Sequence, residues 1–323
     1  MKNVTLALAV YGAMLSISQS YAAEVIIPET GFASSAYTNC YNDGRTTADP
    51  KGNFGSYPIA AAQYPTTSTS ANSTCYVTKP SSEATLPAGK TGFTALAART
   101  VTIPTTTGGT GNIGTLVERA WRNSTTNTCI IGTRVTMINA DHDSTTPGTQ
   151  LFEINDIARG GFSGATGDSL KVYYTIFTTP VTVSSPLFRA GRTFTSVQHR
   201  SLKYDTNANK ALNGTNYLDL PTKTSFTGEI NGEPTPITAT ATASTTAATQ
   251  DAAVNSNYVD LTFDAVFTDD DGSTNANSAF VYIEAPCTAN PTVQPNAIRL
   301  RQTAQENTTP KSIDLSGYAI GTP

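Results

Sequence analysis

The stretch FTDDDGSTNAN, residues 267–277, has the residue types of a calcium-binding loop. Its carboxylates and amides are oxygen ligands that Ca²⁺ accepts without strict geometry. It is not an EF-hand, because aligning Gly272 with the invariant glycine places Phe267 and Ser278 at the first and last ligand positions. A looser cage would use Asp269, Asp271 and Asn275. We favour a solvated loop between two strands, since Asp and Gly also promote turns.

A second acidic group lies in NADHDSTTPG, residues 139–148. Asp141 and Asp143 occupy alternate positions, and alternate side chains of an extended chain share a face. The two carboxylates could therefore converge on one cation. The same residues before a Ser-Thr-Thr-Pro-Gly run are also typical of a strand end, which is the interpretation we favour. No cofactor is expected from the sequence, with calcium as the alternative.

Arginine is concentrated between residues 119 and 200, where seven arginines accompany one lysine. Arg replaces Lys where a planar, bidentate grip on a carboxylate is needed. Because the same span contains five acids, we expect partly buried Arg–carboxylate pairs. The functional alternative is a pocket for an anionic ligand, lined by Arg159, Arg192 and Arg200.

Catalytic constellations are weakly supported. Residues 158–164, ARGGFSG, place Ser163 in an incomplete nucleophile elbow that lacks the final glycine, and the chain has only two histidines for a triad. The acids in strand-like runs that could form the carboxylate pair of a glycoside hydrolase are Glu153, Asp156, Asp264 and Glu284. Trp121 could stack on a sugar, although a core position is more typical. We expect a protein without enzymatic activity and keep an enzyme as the alternative.

The first 22 residues are organised as a secretory signal peptide. Lys2 precedes an apolar run that ends in the small-residue step Ser20-Tyr21-Ala22. The apolar run is shorter than the roughly 20 residues that span a bilayer, and no later run reaches that length. We expect cleavage after Ala22, no membrane span afterwards, and a secreted protein that is periplasmic, on the cell surface or extracellular.

Four cysteines lie in the exported part, and an even number in an oxidising compartment predicts two disulfides. Three pairings are compatible with the sequence. We favour Cys40 with Cys75, which closes a loop in a Gly/Ser/Thr-rich region, and Cys129 with Cys287, which joins the middle of the chain to its end. A metal site is the weaker interpretation, because no CxxC is present and no histidine lies at ligand spacing from a cysteine.

The charge of the chain argues against one class of partner. The formal net charge is −4 and only 14% of the residues are charged, whereas phosphate binding needs concentrated Lys and Arg. Nucleic acid is therefore not expected. A protein or glycan at the cell surface, including a second copy of the chain, remains the expected partner.

Period-two alternation dominates the chain, while helix-period apolar stripes are almost absent. In NYVDLTFDAVF, residues 257–267, Val259 and Leu261 fall on one face and Asp260 and Thr262 on the other. This pattern predicts one buried face and one face in contact with water. Many short strands with polar turns predict an all-β fold, an antiparallel β-sandwich or jelly-roll-like structure.

Two regions differ in composition from the rest of the mature chain. Residues 23–114 are rich in Gly, Thr and Ser and predict a loosely structured N-terminal region, either distinct from the main β-sandwich domain of residues 115–323 or part of it. Residues 234–250, PTPITATATASTTAATQ, predict a linker or long exposed loop. An edge strand is the alternative there, because Thr favours strands.

Together these observations indicate an exported, non-enzymatic protein of the cell surface or extracellular space, with a structural, adhesive or matrix role. The alternative is a carbohydrate-binding module or glycan-active hydrolase on the same scaffold. Two carboxylates about 5 to 10 Å apart in a groove would favour the hydrolase. An open sheet edge suited to strand addition would favour assembly.

Overall fold

The computed structural model describes residues 24–31, 37–40, 75–77, 79–176, 184–193, 254–268, 275–302 and 311–323. The regular structure of these residues is β throughout, which confirms the predicted all-β class. The strands are β1 (Val25–Ile26), β2 (Tyr37–Asn39), β3 (Thr94–Ala95), β4 (Arg99–Pro104), β5 (Asn112–Asn123), β6 (Thr128–Met137), β7 (Ile154–Gly160), β8 (Lys171–Thr175), β9 (Ser184–Ser185), β10 (Arg189–Gly191), β11 (Tyr258–Ala265), β12 (Asn277–Ser278), β13 (Phe280–Pro286), β14 (Thr292–Gln302) and β15 (Lys311–Ala319).

The strands form two sheets. Sheet I has nine strands, and β6 lies at its centre. On one side, β6 pairs with β5, which in turn pairs with β3 and β4. On the other side, β6 pairs with β12 and β13; β13 is followed by β8 and β1, and β12 pairs with β9. Sheet II has six strands in the order β15, β14, β7, β11, β10, β2. The pairings are antiparallel except between the short strands β9 and β12.

The predicted N-terminal region, residues 23–114, contributes strands to both sheets where it is described. β2 pairs with β10 in sheet II, while β3 and β4 pair with β5 in sheet I. The boundary between residues 114 and 115 falls inside β5. Residues 234–250 lie outside the described part of the chain.

The hairpin of β5 and β6 shows how local sequence fixes the register. Asn123 Oδ1 accepts hydrogen bonds from the backbone N–H groups of Thr125 and Thr126, at 3.0 and 3.1 Å, and Asn127 adopts a φ of 51°. Asn tolerates this left-handed conformation better than most residues. The turn aligns Asn123 with Thr128, so Leu116 and Ala120 face the core.

The main core lies between the two sheets. Sheet I contributes Ile131 and Val281, and sheet II contributes Ile157, Leu261 and Leu300, each at most 2% exposed. This arrangement of two packed layers is that of a β-sandwich. It accounts for the period-two pattern, because each strand places alternate residues in the shared core.

A second, smaller core lies on the other face of sheet I. Trp121, Tyr173, Phe280 and Tyr282 pack together there, with the Tyr173 and Tyr282 rings stacked at 5.1 Å between centroids. Partly buried residues before β3 pack against this group, namely Val77, Leu86 and Phe93. Trp121 is therefore a core residue, as its sequence context suggests, and is only 3% exposed.

Both disulfides form as the sequence predicts. Cys40–Cys75 connects the two sheets: the backbone N–H of Cys40 bonds to the residue preceding β10 in sheet II, and the carbonyl of Cys75 accepts from Tyr174 of β8 in sheet I. Cys129–Cys287 joins the start of β6 to the residue after β13. The first bridge therefore links the layers, and the second locks neighbouring strands within one layer.

The two disulfide bonds suggest an oxidising, extracellular-type environment. In the part of the chain that the structure describes, no helix has the length and hydropathy needed to cross a membrane.

Candidate functional site

The acidic loop after β6 uses its carboxylates to fix its own backbone. Asp141 Oδ1 accepts the N–H groups of Asp143 and Gln150 at 3.0 and 3.1 Å. Asp143 Oδ1 accepts from the side chain and the backbone of Thr145, and these hydrogen bonds lower the pKa of Asp143 to about 2. Asp143 Oδ2 lies 3.5 Å from Lys311 Nζ. The bonds from the N–H of Asp143 to Asp141 and from the N–H of Thr145 to Asp143 are those of Asx-type turns. Among the described residues, no group of three or more acidic, His or Cys side chains is arranged to hold a metal ion.

The first acidic stretch is described only at its two ends. Asp269 and Asp271 lie outside the described residues. The backbone N–H of Asn275 donates to the carbonyl of Val266 at 3.1 Å. This contact places Asn275 beside the end of β11, as a loop joining two strands requires. Calcium binding by residues 267–277 stays a prediction.

Arg192 fastens two loops at one end of sheet II. Its Nη2 donates to the carbonyls of Phe162 and Ala165 at 3.0 and 2.8 Å, and its Nε donates to the carbonyl of Ser256 at 2.9 Å. Burial lowers the pKa of Arg192 to about 10. Arg200 lies outside the described residues, so the proposed anion pocket stays a prediction. The described contacts of Arg192 are to backbone carbonyls.

Arg159 forms an ion pair between the two sheets. Its Nη1 lies 2.8 Å from Oε1 of Glu118 on β5 and donates to Thr133 Oγ1 at 2.6 Å, while its Nη2 donates to the carbonyl of Tyr318 at 2.7 Å. Glu118 also pairs with Arg99 of β4. The side chains of Glu118 and Arg159 are fully buried. This is an Arg–carboxylate pair of the kind that the arginine content predicts.

A second buried ionic cluster lies on the face of sheet II that points away from the core. The pairings align Arg189 with Thr262, Thr262 with Asp156, and Asp156 with Arg301, across four neighbouring strands. Asp260 lies on the same face, two residues before Thr262. We call these five residues the charged row, and all five are fully buried.

The charged row corrects the prediction made for β11. The alternation itself is right, because Val259 and Leu261 face the core. The opposite face is not in contact with water, since Asp260 and Thr262 are fully buried. β11 lies between β7 and β10 inside the sheet, and Asp260 meets a partner from β14, two strands away, whereas Thr262 Oγ1 has no hydrogen-bond partner among the described residues. Arg301 of β14 pairs with both Asp156 and Asp260.

The other acids considered for catalysis lie in separate places. Glu153 accepts a hydrogen bond from Asn155 at 2.6 Å. Glu284 pairs with Lys90 and accepts from the Tyr173 hydroxyl at 3.3 Å. Asp264 lies near the end of β11, where its backbone N–H donates to Ser185 Oγ at 2.9 Å.

Of the two histidines, the structure describes His142, and no described hydrogen bond joins it to Ser163. His142 is buried and its Nδ1 lies 2.7 Å from Thr106 Oγ1. His199 lies outside the described residues. The backbone N–H of Ser163 donates to Asn257 Oδ1 at 3.1 Å, which places it in the loop that Arg192 fastens.

β4 forms an edge of sheet I. It pairs with β5 on one side, and no strand among the described residues pairs with its other side. The beginning of this edge is fastened to β15, because Arg99 Nη1 donates to the carbonyl of Ser316 at 3.3 Å and Tyr318 Oη donates to the carbonyl of Ala97 at 2.6 Å. Thr100, Thr102 and Pro104 follow with exposed side chains.

Comparison of the chain with protein-family models, with curated proteins and with solved structures finds no match. A functional proposal therefore rests on the residues of this chain. Of the described features, the β4 edge is accessible to a partner, whereas the acids of the two ionic clusters, Glu118, Asp156 and Asp260, are fully buried.

Proposed function

We propose that this chain is an exported, non-enzymatic protein of the cell surface or extracellular space with a structural or adhesive role, which binds its partner by strand addition at β4. The observation that carries this proposal is the edge position of β4. Its partner would be a protein that presents an extended segment, including a second copy of this chain.

Strand addition follows from the chemistry of an edge. An edge strand has a row of backbone N–H and C=O groups that its own sheet does not use, and an extended segment can pair with them. Thr100, Val101, Thr102 and Ile103 are β-branched residues that favour an extended backbone. Backbone pairing supplies affinity in this mode, and the exposed Thr side chains would supply contacts beside it.

The charges near β4 do little to block this pairing. Natural edges are commonly protected by charged side chains, particularly Lys, or by Pro. The single charge of β4 is Arg99, whose guanidinium is occupied by Glu118 and Ser316. Pro104 stands at the end of the strand, so it limits the length of the edge rather than interrupting it.

The use of acidic side chains supports a structural role. Glu118, Asp156 and Asp260 are fully buried and pair with arginines from other strands. These groups join strands and layers. Two disulfides reinforce the same sandwich, as suits a protein that works outside the cytoplasm.

The test is to place charge on the open edge without disturbing the core. The variant Thr100→Lys/Thr102→Lys changes two exposed side chains, so we expect it to fold and to lose assembly or adhesion. Electron microscopy and sedimentation of the purified mature protein measure assembly, and binding of expressing cells to a surface measures adhesion. The matched control is Ser124→Lys/Thr125→Lys, which adds the same charge at exposed positions in the β5–β6 turn.

Unchanged assembly and adhesion in the edge variant, with the control also unchanged, would remove β4 as the binding surface. Equal loss in both variants would assign the effect to net charge. Release of sugar from a glycan by the purified protein would replace the proposal with the hydrolase alternative.

A further inference from the structure

The two carboxylates of the charged row share one guanidinium. Arg301 Nε donates to Asp156 Oδ1, and Arg301 Nη2 donates to Asp260 Oδ2. Each carboxylate therefore presents one oxygen to the arginine. All three side chains are fully buried, so water cannot compensate the remaining negative charge.

The other two oxygens lie without a donor. In the described part of the chain, no group donates a hydrogen bond to Asp156 Oδ2 or Asp260 Oδ1. The two carboxyl groups are within hydrogen-bonding reach of each other. Two ionised carboxylates cannot hydrogen-bond to each other because neither has a donor, and like charges at this separation disfavour the doubly ionised state.

We infer that Asp156 and Asp260 hold one shared proton in the folded protein at neutral pH, which makes the charged row a proton-binding site. The hydroxyl of the protonated carboxyl donates to the oxygen of the ionised one. The remaining single negative charge is balanced by Arg301. The proton comes from solvent on folding, because both carboxyls are ionised at neutral pH in the unfolded chain.

The groups around the two acids carry charges of both signs. Burial, followed by the charge of Asp156, raises the pKa of Asp260 well above its ordinary value, and Arg301 opposes this shift. Among the side chains that the structure describes, the other titratable or charged groups on this face of sheet II are Arg189 on β10, Tyr258 and Asp264 on β11, Arg299 on β14 and Asp314 on β15. Arg299 is already paired with Asp314, 2.6 Å from Nε to Oδ1.

The shared proton makes stability depend on pH in a defined direction. The folded state keeps the proton while the unfolded state releases it above the ordinary Asp value of 3.8. Stability from this site is therefore fully present below that value and declines as pH rises toward the raised pKa of Asp260. One proton of difference changes the unfolding equilibrium constant about tenfold per pH unit.

The test compares the full mature protein with its Asp260→Asn variant. The amide of the variant can donate to Asp156 in place of the shared proton. Urea unfolding at a series of pH values above 4 should show the unfolding constant of the unmodified protein rising about tenfold per unit relative to the variant. The infrared carbonyl band of a protonated carboxyl should be present in the unmodified protein at neutral pH and absent in the variant.

The matched control is Asp314→Asn, which changes an exposed Asp paired with an Arg on the same sheet. It should keep both the infrared band and the pH dependence. If Asp260→Asn does not fold, Asp156→Asn and the infrared spectrum of the unmodified protein decide. The inference would be overturned if the infrared band is absent, or if the unmodified protein and the variant show the same dependence of stability on pH. It would also be overturned if Na⁺ or Ca²⁺ stabilises the protein and this effect requires both acids.

Discussion

Arg159 of sheet II and Glu118 of sheet I meet inside the sandwich, with 2.8 Å between Nη1 and Oε1 and both side chains fully buried. The backbone N–H of Tyr318 donates to the same Glu118 oxygen at 3.0 Å. Glu118 therefore joins β5, β7 and β15. Because this contact is directional while apolar packing is not, it fixes how the two layers align.

Removing one member of this pair should be costly. Arg159→Ala leaves the fully buried Glu118 with Arg99 as its remaining cationic partner among the described residues, and we expect a loss of about 3 kcal/mol in the free energy of unfolding. Urea denaturation measures the loss. The double variant Glu118→Leu/Arg159→Met should lose less, because the charge that it leaves without a carboxylate, Arg99, lies on a side chain that is 20% exposed. The control Arg299→Ala breaks the more exposed pair with Asp314 and should cost less than about 1 kcal/mol.

Gly132 of β6 should tolerate no side chain. A Cβ at this position would lie 2.8 Å from Phe280 Cζ and 3.2 Å from Trp121 Cζ3, inside the smaller core. We expect Gly132→Ala to cost about 1 to 3 kcal/mol through overpacking. Thermal melting and the near-ultraviolet circular dichroism of the aromatic rings would report it. Gly164→Ala, where no atom lies within 4 Å of the new Cβ, should leave both signals unchanged.

His142 should make the protein less stable in mild acid. Burial lowers its pKa below the ordinary value of 6.5, although Asp143 and Asp141 oppose the shift. The folded state therefore keeps the neutral imidazole, while the unfolded state takes up a proton below pH 6.5. Stability from this residue is present above that pH and declines as pH falls. The difference in melting temperature between the protein and His142→Gln, measured from about pH 8 to about pH 5, checks this sign. The melting temperature of the protein should fall relative to that of the variant as pH decreases. A rise relative to the variant would contradict the prediction.

Chelation of divalent cations should leave the melting temperature unchanged, because we interpret both acidic stretches as turns. A ligand that binds only the folded state raises stability by mass action. Melting in EDTA and in excess Ca²⁺ therefore tests the calcium alternative directly. A calcium-dependent rise that Asp269→Asn/Asp271→Asn abolishes would assign a site to residues 267–277. A rise abolished by Asp141→Asn/Asp143→Asn would assign it to the loop after β6.

The strands and disulfides were accessible to sequence reasoning because their signals are local. The alternation in residues 257–267 corresponds to β11, and the hydrophobic run around Ile130 corresponds to β6. The disulfide pairing needed one further step, since spacing alone leaves three possibilities. The favoured pairing is the one that forms.

The charged row was not accessible in the same way. Alternation shows that Asp260 and Thr262 share a face, but it does not show which strands flank β11. Arg301 is 41 residues from Asp260 and 145 from Asp156 along the chain. The alternation of Arg299 and Arg301 with Ile298 and Leu300 was the available signal. Only the sheet order decides that one of these arginines is buried beside two acids.

The bridge between Cys129 and Cys287 has a mechanical consequence. The two cysteines are separated by 158 positions in the sequence, which corresponds to about 550 Å of fully extended chain. Tension applied to the two ends of the polypeptide would travel through the sulfur link and bypass this length. A molecule that anchors a load could thus lose the strands outside this loop while about half of its contour length stays unextended.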